Sequence, residues 1–79
     1  MKIKIKYFAS MREATEISSE TLETEAKTPL ELLRCINDKY KLNLDEHNLK
    51  VAINEEYVAF SSTLAELDTI VFIPPVAGG

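Results

Sequence analysis

Strict alternation of lysine with apolar residues opens the chain. Over residues 2–8 the sequence K-I-K-I-K-Y-F places Ile3, Ile5 and Tyr7 on one face of an extended segment and the lysines on the other, because successive side chains of a strand point to opposite faces. The pattern predicts a half-buried β-strand. Phe8 departs from it with an aromatic side chain on the lysine face, which we expect to fold under the next loop or to contact a partner.

The next two segments are less regular. Residues 9–14 contain good helix formers, with Ser10 and Glu13 at capping-box spacing, and predict a single helical turn. Residues 17–26 alternate weakly and predict a second strand, whose polar composition favours the edge of a sheet or one face in solvent.

A capped helix is predicted to begin directly after residue 28. Thr28 supplies an N-cap, Pro29 suits the first helical position, and Glu31 stands where it can satisfy a free amide. An apolar stripe then predicts a helix to about Tyr40 that buries one face. The stripe comprises Leu30, Leu33, Ile36, Asn37 and Tyr40, with Leu32 and Cys35 beside it.

The second half of the chain predicts a hairpin and a last strand. Leu42 and Leu44 are expected to hold the return from the helix against the core, residues 50–53 to form a strand, residues 54–56 a turn, and residues 57–60 the partner strand.

A capping-box spacing over residues 63–66 then predicts a further helical turn. Residues 69–73, T-I-V-F-I, do not alternate, which is typical of a central strand with two apolar faces. Another protein could complete one of those faces.

Composition limits the function more than the fold. Seventy-nine residues suffice for one domain, and a net charge of −4 argues against a nucleic-acid partner. Lys2, Lys4 and Lys6 are better explained as a solvated strand face than as a phosphate site. No apolar run approaches the length of a membrane span, so we expect a cytoplasmic protein.

Two reactive side chains need an explanation. Cys35 lies in the middle of the helix, away from its electropositive start, and is interpreted as a small hydrophobic residue rather than a nucleophile. His47 has no second ligand at metal spacing and is expected in a solvated loop. No metal site is predicted.

The last six residues suggest that the domain presents its own C-terminus. Two prolines stop the preceding structure and two glycines, the only ones in the chain, end it without side chains. Six extended residues reach at most about 20 Å, enough to enter a channel in a partner. The predicted organisation is a domain of residues 1–73 and a tail of residues 74–79.

The order of these elements gives an α+β domain with one main helix on a mixed sheet of four to five strands. A last strand in the centre of such a sheet resembles the ubiquitin-like β-grasp fold. The motifs are more specific: F-A-S-M-R-E at 8–13, V-A-I-N at 51–54 and D-T-I-V-F-I-P-P-V-A-G-G at 68–79 resemble those of the molybdopterin synthase small subunit. Leu67 departs from that family, which usually has a glycine turn before the last strand.

The resemblance implies a sulfur carrier of molybdenum-cofactor synthesis. Its C-terminal Gly79 is adenylated by an ATP-dependent enzyme of the ubiquitin-activating type, converted by a sulfur donor to a thiocarboxylate, and inserted into the large subunit of a heterotetrameric synthase. There the sulfur passes to a cyclic pyranopterin precursor. The chain itself binds no cofactor, and the catalytic groups belong to its partners.

The resemblance also assigns the site residues. The tail consists of Pro74, Pro75, Val76, Ala77, Gly78 and Gly79, and the docking residues are Phe8, Arg12, Tyr57 and Ile73. Three functions stay open: this carrier, or one serving thiamine or tRNA thiolation; a ubiquitin-like modifier conjugated through Gly79; and an interaction module with an inert tail.

Overall fold

A computed structural model describes residues 1–7 and 18–73 of the chain. The described elements are β1 (Lys2–Tyr7), β2 (Ser19–Glu23), α1 (Pro29–Tyr40), a 3₁₀ turn (Glu46–Asn48), β3 (Lys50–Ile53), β4 (Glu56–Val58) and β5 (Thr69–Ile73). The helical turn predicted for residues 9–14 falls outside these residues.

The strands form one five-stranded sheet in the order β2-β1-β5-β3-β4. β5 lies in the middle, parallel to β1 and antiparallel to β3, and the other pairs are antiparallel. The polar β2 occupies one edge and the short β4 the other. The central last strand, the polar edge strand and the ubiquitin-like β-grasp fold are thereby confirmed.

The alternation of β1 sets the two faces of the sheet. Ile3, Ile5 and Tyr7 are buried while the lysines between them are exposed. β5 continues the same inner face with Ile70 and Phe72, which like Ile3 and Ile5 have no exposed surface. We call the face that packs against α1 the inner face and the opposite one the outer face.

The capping signals of α1 form as predicted. The hydroxyl of Thr28 accepts a bond of 3.2 Å from the amide of Glu31, and Pro29 is buried in the first turn. The carboxylate of Glu31 turns back to accept from the amide of Lys27 at 3.0 Å. Both bonds satisfy amides that would otherwise lack a partner, and the left-handed Lys41, with φ 57°, ends the helix.

The apolar stripe of α1 is rotated from its predicted position. Leu32, Leu33 and Ile36 are buried, whereas Leu30 is only half-buried. Cys35 is exposed, so its interpretation as a small hydrophobic residue beside the core is wrong. Residues are about 100° apart around a helix, so Cys35 lies about 130° from the centre of a stripe on Leu33 and Ile36 and faces solvent.

The polar member of the stripe, Asn37, has a structural role. Its side-chain amide donates to the carbonyl of Leu44, and its side-chain oxygen accepts from the amide of Leu44, both at 3.0 Å. Leu42 and Leu44 pack against the core as predicted. Asn37 therefore holds the chain as it returns from α1 toward β3.

The turn between β3 and β4 is tighter than predicted. It contains only Asn54 and Glu55, with φ of 50° and 73°, and β4 begins at Glu56 and ends at Val58. Two successive positive φ angles are those of a two-residue type I′ hairpin, for which asparagine is a favoured first residue.

The helical turn predicted over residues 63–66 does not form. Ala65 to Asp68 make a turn closed by a bond of 3.1 Å from the amide of Asp68 to the carbonyl of Ala65, with Leu67 at φ 65°. The carboxylate of Glu66 accepts from the amide of Lys2 instead of capping a helix. The spacing matched a capping box, but the backbone groups of β1 compete for that carboxylate.

Candidate functional site: the outer face and the tail exit

The route to the C-terminus begins at the centre of the sheet. Ile73, the last residue of β5, lies opposite Lys50 of β3 in the hydrogen-bonded register. A strand held on both sides by neighbours is the most rigid support that a sheet offers to the segment that follows it. The fold therefore fixes the place at which the tail begins.

Several predicted site residues fall outside the part of the chain that the structure describes. They are Phe8, Arg12, Pro74, Pro75, Val76, Ala77, Gly78 and Gly79. Their assignments stay predictions.

The two predicted docking residues within the described part share the outer face. The register places Ala52 opposite both Tyr57 of β4 and Val71 of β5, so these three side chains form a row across three strands. Ile73 lies two residues further along β5, on the same face as Val71. Tyr57, 68% exposed, is one of the two most exposed large hydrophobic residues among those described.

We call Ala52, Tyr57, Val71 and Ile73 the outer strip. Val71 and Ile73 are half-buried, and neither belongs to the buried core cluster or packs against it. The inner face of the same strand has no exposed surface at Ile70 and Phe72. An apolar row left at a sheet surface is the feature expected of a protein contact.

An open groove adjoins the strip at the end of the sheet from which the tail departs. It has a volume of about 470 Å³ and is lined by Leu49, Lys50, Val51, Tyr57, Val58 and Phe60. Lys50 lies next to Ile73 in the register. The groove, the strip and the tail exit are therefore contiguous.

The beginning of β5 is held by a polar clasp that the sequence pattern did not indicate. The side-chain amide of Asn54 donates to Asp68 at 2.9 Å, and its oxygen accepts from the amide of Thr69 at 3.0 Å. The second carboxylate oxygen of Asp68 accepts from the amide of Ala65 at 2.8 Å. The asparagine of the V-A-I-N motif thus ties the β3–β4 turn to β5.

A second polar cluster joins β1, β2 and the C-terminal end of α1. Glu20 accepts from the hydroxyls of Tyr7 and Tyr40 at 2.5 and 2.6 Å and from the ammonium of Lys39 at 2.8 Å. The two tyrosine rings meet edge to face. We call these four side chains the Glu20 cluster.

The cluster has perturbed proton affinities. Burial raises the pKa of Glu20, but the hydrogen bonds from Lys39, Tyr40 and Tyr7 outweigh it and hold that pKa below its usual value. Burial, and then the hydrogen bond to Glu20, raise the pKa of Tyr7 far above its usual value. The same two causes raise the pKa of Tyr40. At neutral pH the cluster is one carboxylate held by three donors.

Metal-ligating side chains do not cluster in the described residues. No group of three or more histidine, cysteine, aspartate or glutamate side chains within residues 1–7 and 18–73 could hold a metal ion. His47 is exposed in the 3₁₀ turn, as expected. Along the same residues, no helix has the length and apolar character that crossing a membrane requires. The strip, groove and tail exit are suited to binding a partner.

Comparisons with known proteins agree with this arrangement. The model of the ThiS family matches residues 5–79. The molybdopterin synthase sulfur carrier subunit of Escherichia coli is 33% identical over 82 residues, covering 98% of this chain and 99% of the relative. The predicted resemblance to that family is thereby confirmed.

Solved structures share the fold over almost the whole chain. The solution structure of small archaeal modifier protein 1 from Methanosarcina acetivorans is 25% identical with a TM-score of 0.79, covering 99% of this chain and 96% of that one. Subunit 1 in a complex with subunit 2 of the molybdopterin-converting factor of Helicobacter pylori is 22% identical with a TM-score of 0.70, and each chain is covered completely.

Proposed function

Because the chain belongs to the ThiS family, we propose that it is the sulfur-carrier subunit of a molybdopterin synthase. The observation that supports this most is the continuity of the rigid central strand β5 with a Gly-Gly tail, in a chain whose E. coli relative is named as such a carrier over its full length.

The reaction uses the tail as a co-substrate. A carboxylate is a poor electrophile, so a partner enzyme joins Gly79 to the phosphorus of AMP and releases pyrophosphate from ATP. A sulfur donor then attacks the acyl carbon, AMP departs, and a thiocarboxylate remains. The acyl-adenylate must be shielded from water during these steps. Glycines at 78 and 79 place no side chain in the way of that enclosure.

The loaded carrier then docks on the large subunit of the synthase. The outer strip contacts that subunit, the tail enters its active site, and the sulfur passes to the cyclic pyranopterin precursor. A subunit 1 with this fold binds a subunit 2 in the H. pylori protein, which supports the partner class. The chain binds no cofactor of its own in this reaction.

Mass spectrometry of the intact chain tests the chemistry. After incubation with the activating enzyme, ATP and a sulfide source, we expect one oxygen at the C-terminus to be replaced by sulfur. A variant with one alanine appended after Gly79 is the control: it folds normally but neither forms the thiocarboxylate nor transfers sulfur. Transfer by that variant would contradict the proposal.

A protein modifier is the second candidate. It is favoured by the similarity to small archaeal modifier protein 1 at a TM-score of 0.79. Peptides in which Gly79 is joined to lysines of other proteins would support the modifier, whereas thiocarboxylate without such conjugates supports the carrier. An unmodified C-terminus under all these conditions would exclude both.

Docking through the outer strip is tested by Tyr57→Ala. A buried aromatic anchor is typically worth about 2 kcal/mol or more at an interface, so we expect affinity for the large subunit to fall at least about tenfold. Leu67→Ala is a matched control, since Leu67 is also 68% exposed but lies before the opposite end of β5. Both variants should unfold like the unmodified chain. Equal losses of affinity would remove Tyr57 from the docking surface.

A further inference from the structure

The outer face has a charge opposite to that of the whole chain. Lys2, Lys4 and Lys6 of β1 and Lys50 of β3 all point outward and are exposed. Glu23 faces Lys2 at the far edge and is the one carboxylate on this face among the described strand residues. The chain as a whole carries a net charge of −4. Four of the nine lysine and arginine residues of the chain therefore lie on this face, against one carboxylate among the described strand residues.

Two of these lysines bracket the strip. The register places Lys6 opposite Val71 on the β1 side and Lys50 opposite Ile73 on the β3 side. Neighbouring strands are about 4.8 Å apart, so both ammonium groups can reach the border of any surface that covers Val71 and Ile73. Lysine side chains keep their charge in water while their stems lie along apolar surface.

No described carboxylate neutralises Lys6 or Lys50. The ion pairs within residues 1–7 and 18–73 join the N-terminus to Glu23 and Lys39 to Glu20. Neither involves Lys6 or Lys50. Across the sheet, Lys6 faces Ser19 rather than an acid.

The chemistry of the strip favours a protein over a polyanion. A nucleic acid or an anionic membrane is bound through a wide basic surface, and a chain of net charge −4 repels such polyanions at a distance. An apolar centre with a charged rim is instead the usual anatomy of a protein interface. A protein surface complementary to this face has an apolar ridge that covers the outer strip and carboxylates on both sides of that ridge.

We propose that Lys6 and Lys50 form an electrostatic bracket that recognises carboxylates of the synthase large subunit on either side of the apolar ridge that covers the outer strip. This rests on the proposed function. Rim charges chiefly raise the association rate and fix orientation, and contribute less to the affinity of the formed complex. The bracket orients the carrier so that the tail exit beside Ile73 faces the partner.

Association kinetics of the full-length chain with the large subunit from the same organism test the bracket. The double variant Lys6→Glu/Lys50→Glu is compared with Lys27→Glu/Arg34→Glu, which makes the same change in net charge at exposed residues of the described chain that are not on the outer face. Thermal unfolding verifies that both are folded. Rates are measured at 0.1 M and 1 M salt, where the Debye length is about 10 Å and about 3 Å.

We expect the bracket variant to associate about tenfold or more slowly at the lower salt concentration, with the difference nearly lost at the higher one. The control variant should remain within about twofold of the unmodified chain. Equal slowing of both variants would assign the effect to net charge alone and overturn the bracket. An unchanged association rate for the bracket variant would also overturn it. So would a bracket variant that loses binding to anionic lipid vesicles but binds the large subunit as the unmodified chain does.

Thiocarboxylate formation at Gly79 is followed in the same samples. If the unmodified chain forms the thiocarboxylate and transfers sulfur while the bracket variant associates at the normal rate, the bracket is wrong and the carrier function stands. If the unmodified chain forms no thiocarboxylate and does not bind the large subunit, the carrier function fails and the bracket fails with it.

Discussion

The two faces of one sheet are built from the same strands but differ in almost every property. Along β5, Ile70 has no exposed surface, while its neighbour Val71 remains half-buried on the other side. Along β1, Ile5 is fully buried and Lys6 is exposed. Alternation with a period of two lets one strand stabilise the fold through one set of residues and meet a partner through the other.

Substitutions at two adjacent residues of β5 should show the largest difference in stability between the two faces. Ile70→Ala removes a side chain from the core and leaves a cavity, so we expect the free energy of unfolding to fall by about 2–5 kcal/mol. Val71→Ala, one residue further on the outer face, should lower it by less than about 1 kcal/mol. Urea denaturation with comparison of the midpoints measures both changes.

Equal destabilisation by these two variants would mean that the outer face contributes to the core as the inner face does. In that case Val71 could not be regarded as surface left for a partner. A change in the slope of the denaturation curve would instead indicate that a variant alters the compactness of the unfolded or native state.

The sequence was informative wherever a single local pattern determined the structure. Strict alternation defined β1 and its buried residues, and Thr28, Pro29 and Glu31 defined the start of α1 through groups within four residues of one another. The unbroken apolar character of residues 69–73 predicted the central strand. In each case the deciding contacts are local, or need only a burial pattern.

Contacts between distant segments could not be predicted in this way. Glu66 had the spacing of a capping residue, yet it accepts from the amide of Lys2, 64 positions away. Asn54 is joined to Asp68 and Thr69 across 14 and 15 positions. The rotation of the α1 stripe, which buries Leu32 and leaves Leu30 half-buried, likewise depends on how the helix packs on the sheet. Predicting the outer strip required the order of the strands in the sheet, which only the family resemblance supplied.

The Glu20 cluster lies at the polar end of the inner face, where Glu20 is opposite Ile5 in the register. Substituting Glu20 tests how much this cluster stabilises the fold. In Glu20→Gln the charged acceptor of Tyr7, Tyr40 and Lys39 becomes a neutral amide. Hydrogen bonds to charged groups are stronger than those to neutral ones, so we expect the free energy of unfolding to fall by about 1–2 kcal/mol at pH 7. Chemical denaturation across a pH series measures this.

The pH dependence has a definite sign. The pKa of Glu20 is lowered by folding, so its contribution to stability is complete above the unfolded pKa of about 4.3 and is lost as the pH falls through the folded pKa. The difference between the unmodified chain and Glu20→Gln should therefore be constant from about pH 7 to 5 and shrink below about pH 4. A difference that persists undiminished at pH 2 would mean that the carboxylate charge is not what stabilises the cluster.

Leu67 belongs to neither face and precedes β5, and it should give the smallest effect. It holds φ at 65°, a left-handed conformation that is unfavourable for any residue with a Cβ atom, and its side chain is 68% exposed. Leu67→Gly relieves that conformation but increases the entropy of the unfolded chain, so we expect a gain of at most about 1 kcal/mol. Leu67→Ala keeps the unfavourable conformation and should give no such gain. Similar losses of stability in both variants would show that the side chain of Leu67, rather than its backbone angle, matters where the chain enters the central strand.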